Sequence, residues 1–455
     1  MQPIEPLTEV GMKVLGVFLA GCWGWSTCGV LWPSILCICA LPLTGVATIN
    51  ELLAAGTGNF MFLFIMFILV FNQLLDDSGV NVAIANFFIS RKIVKGRPYV
   101  LIFFLLFAGY LIGTVCNLFL TMFLMWGIIY GIANSCGYEK KDKLPSILIV
   151  AMLFVLLMGY MAMPFHGMTV QLLAAWANMA QVEIPFASWL AFSLPMGLGS
   201  IVLCCLVIRF VIRPDVSKLV AYDPDSVDKE TIRFTKGKTI VLAMLIFFVL
   251  TLLIGNSLPT TNPVGYLVKT LGNSGMISLV ILALMFIRVD GKPLFNFKET
   301  AAKGLSFDVL ICTAYMLMLS SYMSGQATGI NVFFMKLLTP FLGGLSPVMF
   351  CLVCGIVVAV LTNFLANIAV AYMFLPIALS FAPVIGFNPT IMAMIIIYAA
   401  HLSIATPAAS IYSALMFANT EWLETKTAVR YALTIVVFAI IIMVPCATML
   451  AFAIN

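Results

Sequence analysis

Apolar runs of about 20 residues, the length needed to cross a hydrocarbon core, recur along the whole chain and alternate with short polar connections. They predict spans near 12–31, 33–48, 58–77, 98–112, 144–163 and 185–209. A second series lies near 238–256, 272–289, 306–322, 347–361, 390–405 and 431–453. One long polar stretch, IRPDVSKLVAYDPDSVDKETIRFTKGK (212–238), separates the series and divides the chain into halves of similar layout, 1–211 and 239–455. The short alternating strands of a membrane barrel are absent. The pattern therefore predicts an all-α polytopic membrane protein.

Composition agrees. Hydrophobic residues make up 63% of the 455 and charged residues 9%, against about 25% charged in a soluble domain. The net charge of +5 lies in loops and gives no reason to expect nucleic acid. Most of the twelve cysteines fall within predicted spans. Cys37 and Cys39, like Cys351 and Cys354, sit on apolar helices without a histidine nearby, which favours packing over metal or redox work. Two histidines in the chain and no paired acids in the spans argue against an enzyme. The start, MQPIEPLTEVGMK, carries acids before its lysine, unlike a cleavable signal peptide.

Basic residues predict orientation, because cytoplasmic loops are rich in Lys and Arg. They cluster in RKIVKGR (91–97), EKKDK (139–143), the linker, RVDGKPLFNFKETAAK (288–303) and around Lys426 and Arg430. Counting crossings between these clusters works only with pieces that enter and leave on one side. The stretch 113–134 is expected to be a re-entrant hairpin from the cytoplasmic side, and 347–385 its counterpart from outside. Opposite entry sides make the repeat inverted.

The repeat is also visible in residues. NLFLTMFLMW from Asn117 aligns with NIAVAYMFLP from Asn367, MAMP (161–164) with IATP (404–407), and GVATINELLAAG (45–56) with GKPLFNFKETAAKG (291–304). Pro164 and Pro407 each remove a backbone hydrogen bond inside a span and are expected to break it. A broken helix offers N–H groups to an anion and carbonyls to a cation. Each asparagine is therefore expected to meet its own break, with both clusters around a mid-membrane pocket. His166, just past the first break, reads either as a proton carrier or as a residue bonding the unwound loop. His401 reads as locally bonded, Asp308 as structural, and Asp76 and Asp77 as a solvent-facing helix end. NVAIANFFISRKIVKGR and GINVFFMKLLTPFL read as interfacial helices before each hairpin.

These motifs resemble those of the divalent anion/sodium symporters, the carriers of dicarboxylates, citrate and sulfate within the ion-transporter superfamily. LWPSILCICALPLTG, FMFLFIMFILVFNQLLDDSGV, SRKIVKGRP, RPDVSKLVAYDP and VLTNFLANIAVAYMFLPIAL extend the resemblance over nearly the whole chain. The family carries two Ser-Asn-Thr hairpin tips. Here they read Cys116-Asn117-Leu118 and Ala366-Asn367-Ile368, so both asparagines remain and both serines and threonines are replaced. The resemblance implies substrate contacts at these six residues together with Thr406 and Pro407, and His166, by its place just past the first break, is expected to join them. It implies cation contacts at Asn117, Gly159, Thr362, Asn367 and Ala405. The lost hydroxyls speak against sodium coupling and towards a less polar anion, leaving Na+ or H+ as the candidate coupling ion and no other cofactor.

The resemblance further implies an elevator-type homodimer in the cytoplasmic membrane. Its scaffold would be spans 12–48 and 239–289, and its transport elements 98–182 and 340–420. The family's usual first span has no counterpart, which implies ten crossings, two hairpins and both termini outside. Function is then expected to be secondary active transport of a small organic or inorganic, carboxylate-like anion, with proton-coupled or exchange transport of a less polar monoanion as the alternative. A channel, or a carrier-like sensor that binds without transport, are the competing classes.

Overall fold

In the computed structural model the chain is described over residues 5–226, 234–289, 291–324, 326–342 and 344–454. It is almost entirely helical. The first half runs α1 (Glu9–Thr27), α2 (Leu31–Leu43), α3 (Ile49–Gly56), α4 (Phe60–Asp77), α5 (Val80–Ile89), α6 (Pro98–Gly113), α7 (Leu118–Ser135), α8 (Lys143–Ala162), α9 (Gly167–Ala180) and α10 (Phe186–Leu206). The second runs α11 (Lys236–Ser257), α12 (Pro263–Phe286), α13 (Phe297–Gly304), α14 (Phe307–Ser324), α15 (Ile330–Leu342), α16 (Pro347–Leu361), α17 (Asn367–Ile385), α18 (Pro389–Ala400), α19 (Ile411–Ala418), α20 (Thr425–Phe438) and α21 (Val444–Ile454). A two-residue hairpin, β1 (Arg288–Val289) with β2 (Lys292–Pro293), precedes α13.

Local chemistry sets these boundaries. Thr48 and Glu51 form a reciprocal capping box at the start of α3, Asn59 caps α4, and prolines open α6, α12, α16 and α18. Eight helices are long and apolar enough to cross a membrane, among the described residues. The α13–α14 pair, bent by 74°, adds a ninth candidate.

The order of elements recurs between halves: two long helices, an eight-residue helix, a long helix, a short one, a hairpin, then a broken helix. Packing recurs with it, crosswise. Helix α4 of the first half packs on α12 and α13 of the second, while α14 of the second packs on α2 and α3 of the first. Two apolar clusters result. The larger joins α6–α10 to α16–α21 and to α1 and α2; the smaller joins α4, α11 and α12 to Phe165 and the α9 residues Val170 and Ala174.

The first hairpin differs from the sequence expectation. Its arms are α6 and α7, turning at residues 114–117, so 98–112 is an arm and not a separate span. At 16 residues α6 is about 24 Å long, short of a hydrocarbon core of about 30 Å, and both arms lie along α8. The second hairpin, α16 and α17 around 362–366, has the expected limits. The expected interfacial segments form α5 and α15, which pack on the hairpin arms α6 and α17.

The basic loops gather. Lys95 reaches Asp223 at 3.4 Å, Tyr138 donates to the Asp215 carbonyl at 2.9 Å and Lys218 to that of Gly137 at 2.8 Å. The linker is thereby tied to the loops around 91–97 and 136–143; its residues 227–233 lie outside the described residues.

The contact of α6 with α8 is closest at Gly113 and Gly159, where a β-carbon on Gly159 would stand 2.4 Å from the Tyr110 carbonyl oxygen. Gly159→Ala should therefore force these helices apart, costing about 1–3 kcal/mol. The melting temperature of the purified variant would report it, and an unchanged value would count against this packing account.

Candidate functional site

Both expected breaks are present, and each is held by its own hairpin tip. Helix α8 ends at Ala162, Met163 turns to extended geometry, and α9 starts after His166. Gly167 takes a φ of +33° with the Tyr160 hydroxyl against it, leaving no room for a side chain. His166 is fully buried. Its Nε2 lies 2.7 Å from the Thr114 carbonyl in the first tip, and its Nδ1 lies 3.2 Å from the Asn72 amide nitrogen of α4. A carbonyl only accepts, so Nε2 carries the proton and Nδ1 accepts from Asn72. Both ring nitrogens are thus matched in the neutral form, which favours the loop-bonding reading of His166 over a proton carrier.

Asn117 caps α7, its Oδ1 accepting from the Phe119 N–H at 2.9 Å, and its side chain is exposed. The backbone N–H of Asn117 donates to the Asp76 carboxylate, at 3.2 and 3.1 Å from the two oxygens. The buried Cys116 thiol also bonds this carboxylate. Asp76 is therefore a buried residue against the hairpin tip, not the solvent-facing helix end that the sequence implied. The last turn of α4 holds it against the tip, while Asp77 alone faces out, 3.7 Å from Lys303. Leu118 is buried in the core.

The second break is longer, from His401 to Ser410, with Pro407 exposed and Ala405 buried. Asn363 organises it. Its Nδ2 donates to the carbonyls of Ala359 at 2.7 Å and Leu402 at 2.8 Å, and its Oδ1 accepts from the Ala405 N–H at 2.8 Å. Thr406 donates its hydroxyl to the Asn363 carbonyl, and Thr362 donates to that of Ala400 at 2.9 Å. Asn367, half-buried, reaches Ser403 Oγ at 3.4 Å. Ala366 is half-buried, and its N–H donates to Ser26 Oγ of α1 at 3.3 Å; Ile368 packs inward.

The breaks also meet each other. His401 donates from Nδ1 to the Ile397 carbonyl at 2.7 Å, so its Nε2 accepts from the Thr169 hydroxyl of α9 at 3.3 Å. The hydroxyls of Tyr160 and Tyr412 hydrogen-bond across the halves.

Helix-end carbonyls, the two tip amides and Thr362 are hard oxygen donors that suit a monovalent cation in kind. No group of three or more His, Cys, Asp or Glu side chains is placed to hold a metal ion, among the described residues. Sequence reasoning missed Asn363 and Asp76, although each left a signal. Asn363 is a second amide one helical turn before Asn367, and Asp76 is a carboxylate closing a long apolar run just ahead of the hairpin.

Residues 20–399 match the sequence model of the CitMHS family, described as citrate transporters. No curated protein is significantly similar to the chain. Among solved structures, the YdaH transporter of Alcanivorax borkumensis superposes with a TM-score of 0.56, covering 88% of this chain and 87% of that one at 13% identity. That likeness shows the fold alone.

Proposed function

The chain belongs to the citrate transporter family CitMHS, and from that premise we propose that it is a secondary active carrier of a small carboxylate-bearing anion. It works in the cytoplasmic membrane as a homodimer with both termini outside. The halves are inverted repeats with about ten crossings. A transport body built from the two hairpins and two broken helices moves as a unit past a scaffold.

One observation carries this reading. Each hairpin tip is hydrogen-bonded to its own broken helix, and the two breaks are hydrogen-bonded to each other. That makes a continuous polar centre in an apolar body, where unwound backbone is tolerated only beside protein or a watery cavity. The free ends of four half-helices supply opposite partial charges of roughly half an elementary charge each, enough to hold an anion and a coupling cation side by side.

Leu118 and Ile368, in place of hydroxyl residues, turn into the apolar core and offer a ligand no hydroxyl, which favours a less polar anion over a highly hydrated one. Cys116 and Ala366, in place of the serines, leave fewer oxygens for sodium, so exchange or proton-coupled transport is the reading preferred over sodium symport.

The test is uptake by proteoliposomes of labelled citrate and of labelled monocarboxylates, with and without a sodium gradient. Asn117→Ala and Asn367→Ala should each abolish uptake while inserting normally. Undiminished transport by both single variants would reject the site.

A further inference from the structure

A cavity of about 590 Å³ lies against the first break. It is an open-sided cavity bordered by α4, by Pro164 and Phe165 of the break, by α9, by the start of α10, and by α11 and α12. No role described above uses it. Its volume is that of a small-molecule site, within the common range of about 300–1,000 Å³.

Its walls are largely apolar, with Phe60, Phe64, Phe165 and Phe186 contributing aromatic faces. Two charged side chains line it among the described residues, Lys269 and Glu183, and they form no ion pair with each other or with any other described residue. Lys269 stands, exposed, three residues before Gly272 in the helix Pro263–Phe286. One turn further on, Asn273 also lines the cavity, and its amide makes no hydrogen bond among the described residues.

The backbone between them is broken. Gly272 has φ 60° and ψ −173° inside α12, with nothing within 4 Å of a β-carbon placed there. The break therefore faces open space and is not imposed by a packed neighbour. Beyond it, Ser274 fixes the resumed helix by donating to the Phe60 carbonyl at 2.7 Å. The lysine and the amide are thus presented together to an apolar chamber, on a helix pinned beside them.

We propose that this cavity is a second ligand site that takes an amphipathic organic monoanion, a carboxylate on an aryl or branched alkyl body. The carboxylate is held by Lys269 and Asn273 and the body by the phenylalanines. A single cation neutralises a single charge, and Glu183 repels a second carboxylate, so a tricarboxylate such as citrate is excluded. Partial desolvation raises the Glu183 carboxyl above its usual range. Acidification therefore neutralises it, removes that repulsion and tightens binding. A bound ligand wedges Phe165, next to His166, against α12 and holds the first break in place. That inhibitory consequence rests on the carrier reading; the binding does not.

The experiment is thermal stabilisation of the detergent-purified full chain, since a ligand of the native state raises the melting temperature with concentration. It is titrated with 3-phenylpropionate, its neutral amide 3-phenylpropionamide, and citrate. Saturable stabilisation by the acid is expected, at least tenfold weaker for the amide. Lys269→Met should weaken it about tenfold, as loss of one charge-assisted bond does, and Lys269→Arg should retain it. Glu183→Gln should strengthen it, and Asn367→Ala should leave it unchanged. Equal stabilisation by acid and amide, or an unaltered response in Lys269→Met, would overturn the proposal. So would loss of the response in Asn367→Ala, which would move the ligand to the transport site.

Discussion

Asn363→Ala should abolish uptake and lower the melting temperature together, whereas Asn367→Ala should abolish uptake alone. The difference follows from what each amide holds. Asn363 makes three side-chain hydrogen bonds, two of them to Leu402 and Ala405 in the second break, and is buried. Truncation leaves a buried carbonyl and a buried N–H without partners, at about 1–3 kcal/mol each. The ten-residue segment 401–410 then loses two of the side-chain bonds that hold its shape. Asn367 makes one long cross-link, 3.4 Å to Ser403, so removing it disturbs little except what binds there. Parallel uptake and melting measurements check both halves of the expectation. A normal melting temperature in Asn363→Ala would remove its organising role.

The second large effect is expected at Asp76. Asp76→Ala should cut uptake at least tenfold with insertion intact, because the first tip loses its anchor on α4. The carboxylate takes the Asn117 N–H on both oxygens and the Cys116 thiol, and alanine would strand these donors in a buried place. Asp76→Asn keeps one acceptor oxygen and the shape, and should retain more activity than Asp76→Ala. Initial rates of uptake at matched protein density are the measurement. Equal rates in wild type and Asp76→Ala would show that the tip needs no such anchor.

Much of the fold was legible because the membrane imposes it. Helix length and apolarity are fixed by the bilayer, and Pro164 and Pro407 each close an apolar run among small residues, so limits such as 347–361 and the place of both breaks could be read directly. The pairing of short helices at 45–56 and 291–304 was also legible, since both carry the same small-residue layout. The first hairpin was misread because α6 is apolar throughout and nothing in its composition tells a short arm from a span. That distinction lies in the four-residue turn at 114–117 and in packing on α8. Asp76 was misjudged for a related reason. A carboxylate at a helix end looks solvated unless one knows that a neighbouring loop folds over it, and that neighbour is 41 positions away. Asn363 sat in plain view, overshadowed by the tip amide four residues on.

The crosswise packing of α4 and α14 has a consequence for how the molecule is assembled. Each half lends a pillar to the other, so neither can close its own apolar faces during synthesis. The first 211 residues emerging from the translocon have an unfilled seat along α2 and α3, and α4 has no bed until α12 and α13 arrive. Severing the chain within the linker and producing the pieces in separate cells should therefore yield two aggregating fragments. Producing them in the same cell should let them marry into a working whole.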